Sequence, residues 1–125
     1  MRIAETEVIA NKVVEWCVKN KNLGPSKYHE GLPIVDASYQ SDKPDIFGEY
    51  DQDENLIQIY SKMNRTMKQL VNTTIHEFQH YLQCPTWIQR HIAKYGHKSR
   101  KNPYELQAEA TALFYTGGCI RELNL

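Results

Sequence analysis

Apolar residues recur along the chain with helical and strand-like periods, and the alternation between the two predicts the elements. Val8, Ile9, Val13, Val14, Trp16 and Cys17 fall at helical spacing. They predict an amphipathic helix over roughly residues 4–20, closed by Gly24-Pro25. Between Leu32 and Tyr60 the pattern turns strand-like, with segments Pro33–Tyr39, Asp45–Tyr50 and Leu56–Tyr60. Asp51-Gln52-Asp53-Glu54-Asn55 is turn chemistry and predicts a hairpin from the last two segments. Met67, Leu70, Val71, Thr74, Ile75, Phe78 and Leu82 then step by three and four, the clearest helical signal in the chain. A short helix carrying Trp87, Ile88, His91, Ile92 and Tyr95 follows, and then a basic loop. Asn102-Pro103-Tyr104-Glu105 reads as a helix start, with Asn as N-cap, Pro at N1 and Glu at N3. The predicted architecture is α+β: a small antiparallel or mixed sheet of three strands packed on the central helix, with one helix before it and one after. Residues 1–125 read as a single domain without internal repeats.

The central helix contains His76-Glu77-Phe78-Gln79-His80. Residues four apart on a helix differ by roughly 400° of rotation and ~6 Å of rise. His76 and His80 therefore project one above the other, beside the apolar stripe rather than within it, where two imidazoles can share a metal ion. Glu77 adds a carboxylate within reach of water in an open coordination position. Zinc hydrolysis needs this set: neutral nitrogen ligands, a metal that acidifies water, and a base. The alternative, two surface histidines on an amphipathic helix, requires a chance match that arises in roughly a few per thousand chains of this length.

A third protein ligand must come from elsewhere. The metzincin pattern would place glycine and histidine where this chain has Gln83 and Thr86, which excludes that class. Cys84 follows His80 by four, but a helix ending before Pro85 cannot carry it in the same column. His91, His97, Glu105 and Glu109 remain. One reading of Glu105 is that it only closes a capping box at the Asn102 helix start. Against that, Glu105 and Glu109 lie on one helix face, so one can bind metal while the other accepts a hydrogen bond from a ligand histidine.

Composition narrows the classes. Hydrophobic residues make up 41% and charged residues 24%, ordinary values for a globular domain. Net charge is zero, so the overall field gives no reason to expect nucleic acid or an anionic membrane as partner. Charge is uneven along the chain: Asp36 to Glu54 is acidic and Arg90 to Lys101 is basic. Either these are solvated loops or they flank a cleft. Three cysteines without CxxC spacing argue against a disulfide framework. Acids near the N-terminus stand where a signal peptide would be apolar, and no apolar run suggests a membrane span. The expectation is a soluble, cytoplasmic monomer acting on a peptide or protein substrate.

His76-Glu77-Phe78-Gln79-His80 followed by Asn102-Pro103-Tyr104-Glu105-Leu106-Gln107-Ala108-Glu109-Ala110 resembles the gluzincin zinc metallopeptidases, especially their minimal single-domain forms, the minigluzincins. The likeness covers about half of the chain and implies a zincin-like fold. It implies zinc held by His76, His80 and Glu105, with Glu77 as general base and Glu109 behind a ligand histidine. It further implies that Leu56–Tyr60 is the sheet edge along which an extended peptide lies. Tyr104, Tyr115, His91 and His97 are the candidates for stabilising the oxyanion. Little chain follows Glu109, so the likeness leads to an open cleft and weak or latent turnover. Two other readings stand beside it. One is a zincin-like regulatory or interaction protein; the other is a SprT-like protease acting on DNA-bound protein, with His91 or His97 as third ligand.

Overall fold

The computed structural model describes residues 1–96 and 102–125. Helix α1 spans Ile3–Lys21 and turns Thr6, Ile9, Ala10, Val13, Val14, Trp16 and Cys17 inward, as the apolar pattern predicts except at Val8, which faces solvent. Asn22 ends it in the left-handed conformation at φ 54°, which asparagine tolerates better than most residues. Trp16 is 1% exposed, and burying a side chain of this size contributes roughly 1.5–3 kcal/mol.

Three strands follow: β1 Ile34–Ser38, β2 Gly48–Asp51 and β3 Leu56–Tyr60. β2 and β3 form the predicted antiparallel hairpin, pairing Gly48 with Ile59 and Asp51 with Leu56. Asp51 Oδ1 accepts the amides of Asp53 and Glu54, and Asn55 takes a positive φ of 49°, so the turn residues act through their own side chains and backbone freedom. β2 starts three residues later than predicted, because Asp45 sits at φ 58° and interrupts the extended run. β1 pairs with β3 in parallel, and the order across the sheet is β1-β3-β2.

That order corrects one expectation. Leu56–Tyr60 is the central strand, not the edge, because β1 occupies its second side. The strand at the edge beside the central helix is β2.

Helix α2 spans Met67–Leu82. Thr66 caps it by accepting the Gln69 amide at 3.1 Å. Its buried side, including Leu70, Val71, Ile75, Phe78 and Tyr81, packs with Val35, Ile57 and Ile59 of the sheet and with α1 in one apolar core. Two polar groups tie the periphery to this core. Tyr81 Oη accepts from Ser26 N at 2.9 Å and donates to the Gly31 carbonyl at 2.8 Å, pinning the segment between α1 and β1. Asn64, fully buried, donates to the carbonyls of Phe47 and Tyr60 and accepts from Thr73 Oγ1 at 2.7 Å, joining the sheet to α2.

Helix α3 spans Pro85–Tyr95 and α4 spans Pro103–Leu123. Ala108 and Ala112 of α4 are fully buried against α2, and their small size lets the two axes approach closely. Asn72 on α2 meets Thr116 on α4 at 3.4 Å, while the start of α4 reaches the other end of α2, so the two helices run antiparallel. The fold is therefore α+β, with four helices and a three-stranded mixed sheet among the described residues. No helix among them is long and apolar enough to cross a membrane.

Candidate metal centre

Helix α2 presents His76 and His80 on one face, with ring centroids 5.0 Å apart and planes at 76°. The antiparallel packing of α4 brings its first turn over these rings. Glu105 Oε1 stands 2.6 Å from His80 Nε2, and Glu105 Oε2 stands 3.5 Å from His76 Nε2. One donor atom from each of the three residues lies within 4.8 Å of the other two. Donors around a tetrahedral zinc stand ~3.3–3.5 Å apart, given bonds of ~2.0–2.2 Å. The His-His-carboxylate set has the chemistry that such an ion takes, with the two Glu105 oxygens 2.6 and 3.5 Å from the ring nitrogens. The side chains of His76, His80 and Glu105 retain 19%, 11% and 32% exposure, so the group is recessed yet open to solvent on one side.

Charge is distributed as the contacts require. Burial opposes a charged His80 imidazole, but the hydrogen bond it donates to Glu105 and the nearby Glu77 and Glu105 carboxylates outweigh it and push the imidazole up to about 9. Burial also works against ionised Glu105, yet His76 and His80 hold its carboxyl well below the usual carboxylate range. Glu77 follows His76 on α2, turned towards the sheet and only 7% exposed. Burial, partly offset by the two histidines, raises its carboxyl above the ordinary value. A raised carboxyl pKa suits a group that takes up a proton near neutrality.

Gly48 of β2 lies directly against Glu77. A β-carbon at position 48 would stand 3.3 Å from Glu77 Cγ, 3.0 Å from the Gln58 carbonyl and 2.9 Å from Thr73 Cγ2. Only glycine lets the edge strand approach the helix this closely.

The other sequence candidates lie elsewhere. Glu109 is exposed and takes part in none of the side-chain hydrogen bonds among the described residues. The position behind His80 belongs instead to Gln83, whose Oε1 is 2.7 Å from His80 Nδ1. His91 Nδ1 bonds the Trp87 carbonyl at 2.8 Å, and its ring stacks on Tyr95, away from the ligand group. His97 falls outside the described residues, as do Lys98, Arg100 and Lys101 of the basic stretch. Tyr115 packs on Trp16 in the core. Tyr104 lies edge-on to the His80 ring at 5.8 Å, but its hydroxyl is turned to Asn102 Nδ2 at 3.3 Å. Cys84 is the residue before α3 and is not one of the grouped donors.

Asn102 also departs from expectation. It occupies the N-cap position, yet its side chain does not cap; the amide donates to the Gly96 carbonyl at 2.7 Å. Glu105 therefore closes no capping box, and its carboxylate is committed to the histidines.

Gln83 and Gly48 carried signals that periodicity alone does not interpret. Gln83 follows His80 by three on the same helical face, and Gly48 is a lone glycine in a strand segment, which marks close backbone approach. No family model, curated protein or solved structure matches this chain.

Proposed function

We propose that this protein is a zinc-dependent peptidase of the gluzincin kind, with a zincin-like fold and Glu77 as general base. The observation that carries the reading is the convergence of His76, His80 and Glu105 donors from two separate helices, with buried Glu77 beside them. Zinc bound to these three residues would act as a Lewis acid on the scissile carbonyl and lower the pKa of water in the open position.

The chain's own residues supply the remaining parts. Glu77 takes the proton of the attacking water and passes it to the leaving amine. Its burial keeps the carboxylate weakly solvated and basic enough for that exchange. β2 offers a free strand edge next to Glu77, along which an extended peptide can add as a further strand, with backbone hydrogen bonds giving affinity and register. Gly48 keeps that edge against the helix, so a peptide bond held there lies near the base.

The substitution Glu77→Gln tests the reading. Zinc content should match that of the wild type, and cleavage of a casein-like substrate should disappear. Equal cleavage by both forms, or no cleavage of any peptide library by the zinc-loaded wild type, would end the peptidase assignment.

A further inference from the structure

We infer that Gln83 is the positioning residue of this centre, fixing through one carboxamide both the protonated nitrogen of His80 and the placement of Glu105. The inference rests on the metal-site reading above and assigns a role to a residue outside the ligand set.

The orientation of the Gln83 amide follows from its partners. Gln83 is 4% exposed and lies at the C-terminal cap of α2, with its side chain between that helix and α4. One end of its carboxamide is 2.8 Å from the Tyr104 carbonyl oxygen. A backbone carbonyl only accepts hydrogen bonds, so the group facing it must be the NH2. The opposite end, 2.7 Å from His80 Nδ1, is then the carbonyl oxygen Oε1. An oxygen acceptor there requires Nδ1 to carry a proton. Without metal Nε2 is protonated as well and donates to Glu105 Oε1 at 2.6 Å; a bound metal would displace that proton and take the Nε2 lone pair, while Nδ1–H stays with Gln83. The second NH2 proton is taken by Gln107 Oε1 at 2.8 Å. Every polar valence that orients the amide is thus engaged, and a flip would set two acceptors against each other at Tyr104.

The Tyr104 carbonyl belongs to the peptide group that leads into Glu105. The bond that holds the amide therefore also ties the first turn of α4 to the end of α2. One residue links the third ligand's backbone to the second ligand's ring. Partners of ligand histidines commonly change metal affinity by about 10–100-fold when lost.

Gln83→Met keeps side-chain length and removes both hydrogen-bonding functions; Gln83→Glu keeps the acceptor and removes the donor. Zinc affinity by competition with a chelator, and the His80 Nδ1–H resonance by nitrogen-15 NMR, are the readouts. Gln83→Met should bind zinc about 10–100-fold more weakly and lose the protected Nδ1–H signal. Gln83→Glu should retain that signal while still binding zinc more weakly than wild type, because it cannot hold Tyr104. Undiminished affinity and an unchanged Nδ1–H signal in Gln83→Met overturn the inference. So does loss of the signal from Gln83→Glu, the variant that also decides the matter if Gln83→Met does not fold. Failure of the wild type to bind zinc would sink the metalloprotein reading instead. The Nδ1–H comparison in zinc-free protein would then judge the Gln83 assignment alone.

Discussion

Gly48 on the edge strand faces Glu77 on the central helix so closely that a β-carbon at position 48 would stand 3.3 Å from Glu77 Cγ. That carbon would stand 2.9 Å from Thr73 Cγ2 and 3.0 Å from the Gln58 carbonyl. Neither neighbour can yield cheaply: Thr73 is anchored by its hydroxyl to buried Asn64, and Gln58 is ladder backbone. Gly48→Ala should therefore destabilise the fold by about 1–3 kcal/mol and lift β2 away from Glu77. Urea unfolding measures the first effect. Wild-type stability together with wild-type peptide cleavage would show that the close approach is not needed.

The two carboxylates of the α4 start have separate fates, one at the histidines and one in solvent. Glu105→Ala should abolish stoichiometric zinc binding, whereas Glu109→Ala should leave it intact. Zinc analysis after gel filtration tells them apart. Full retention of zinc by Glu105→Ala would remove it from the ligand set.

The direct contact between His80 and Glu105 gives chelator-treated protein a characteristic pH dependence. Glu105 is held below its ordinary 4.5, so its contribution is present above that value and lost as pH falls. His80 is raised from 6.5 to about 9, so its contribution is complete below 6.5 and lost as pH rises through 9. The stability difference between wild type and Glu105→Gln should be greatest between pH 4.5 and 6.5 and shrink on either side. A difference that stays flat across this range would mean that the pair contributes nothing to folding.

The three thiols should divide sharply in reactivity. Burial pushes Cys17 and Cys119 up to about 12. Amide hydrogen bonding by Trp87 and Thr86 at the start of α3 brings Cys84 below its ordinary value. A thiol-specific chromophoric reagent should label one cysteine per native chain rapidly and all three after unfolding, and Cys84→Ser should abolish the fast phase. Rapid labelling of Cys17 in native protein would contradict the packing of α1 against α4.

Much of this molecule was legible in short stretches of sequence. The three-and-four spacing from Met67 to Leu82 defines α2 and, through helical geometry alone, places His76 and His80 on one face and Glu77 beside them. Asp51 and Asn55 announce the hairpin because their conformational and hydrogen-bonding preferences are their own. Asn102 was readable as the residue before a helix but not as a side chain that turns away to Gly96, since that partner is a matter of how the preceding segment returns.

The sequence by itself determined the elements and the faces they present, because both follow from interactions within a few residues. Tertiary structure decided what those faces meet. β3 became the central strand only when β1 paired with its free side in parallel, a contact across more than twenty residues that no local pattern encodes. Which of Glu105 and Glu109 reaches the histidines was settled by the antiparallel seating of Ala108 and Ala112 on α2, which turns one carboxylate inward and leaves the other in water. Gln83 acquired its partners in the same way, from the one packing of α4 on α2 that sets a backbone carbonyl opposite its amide.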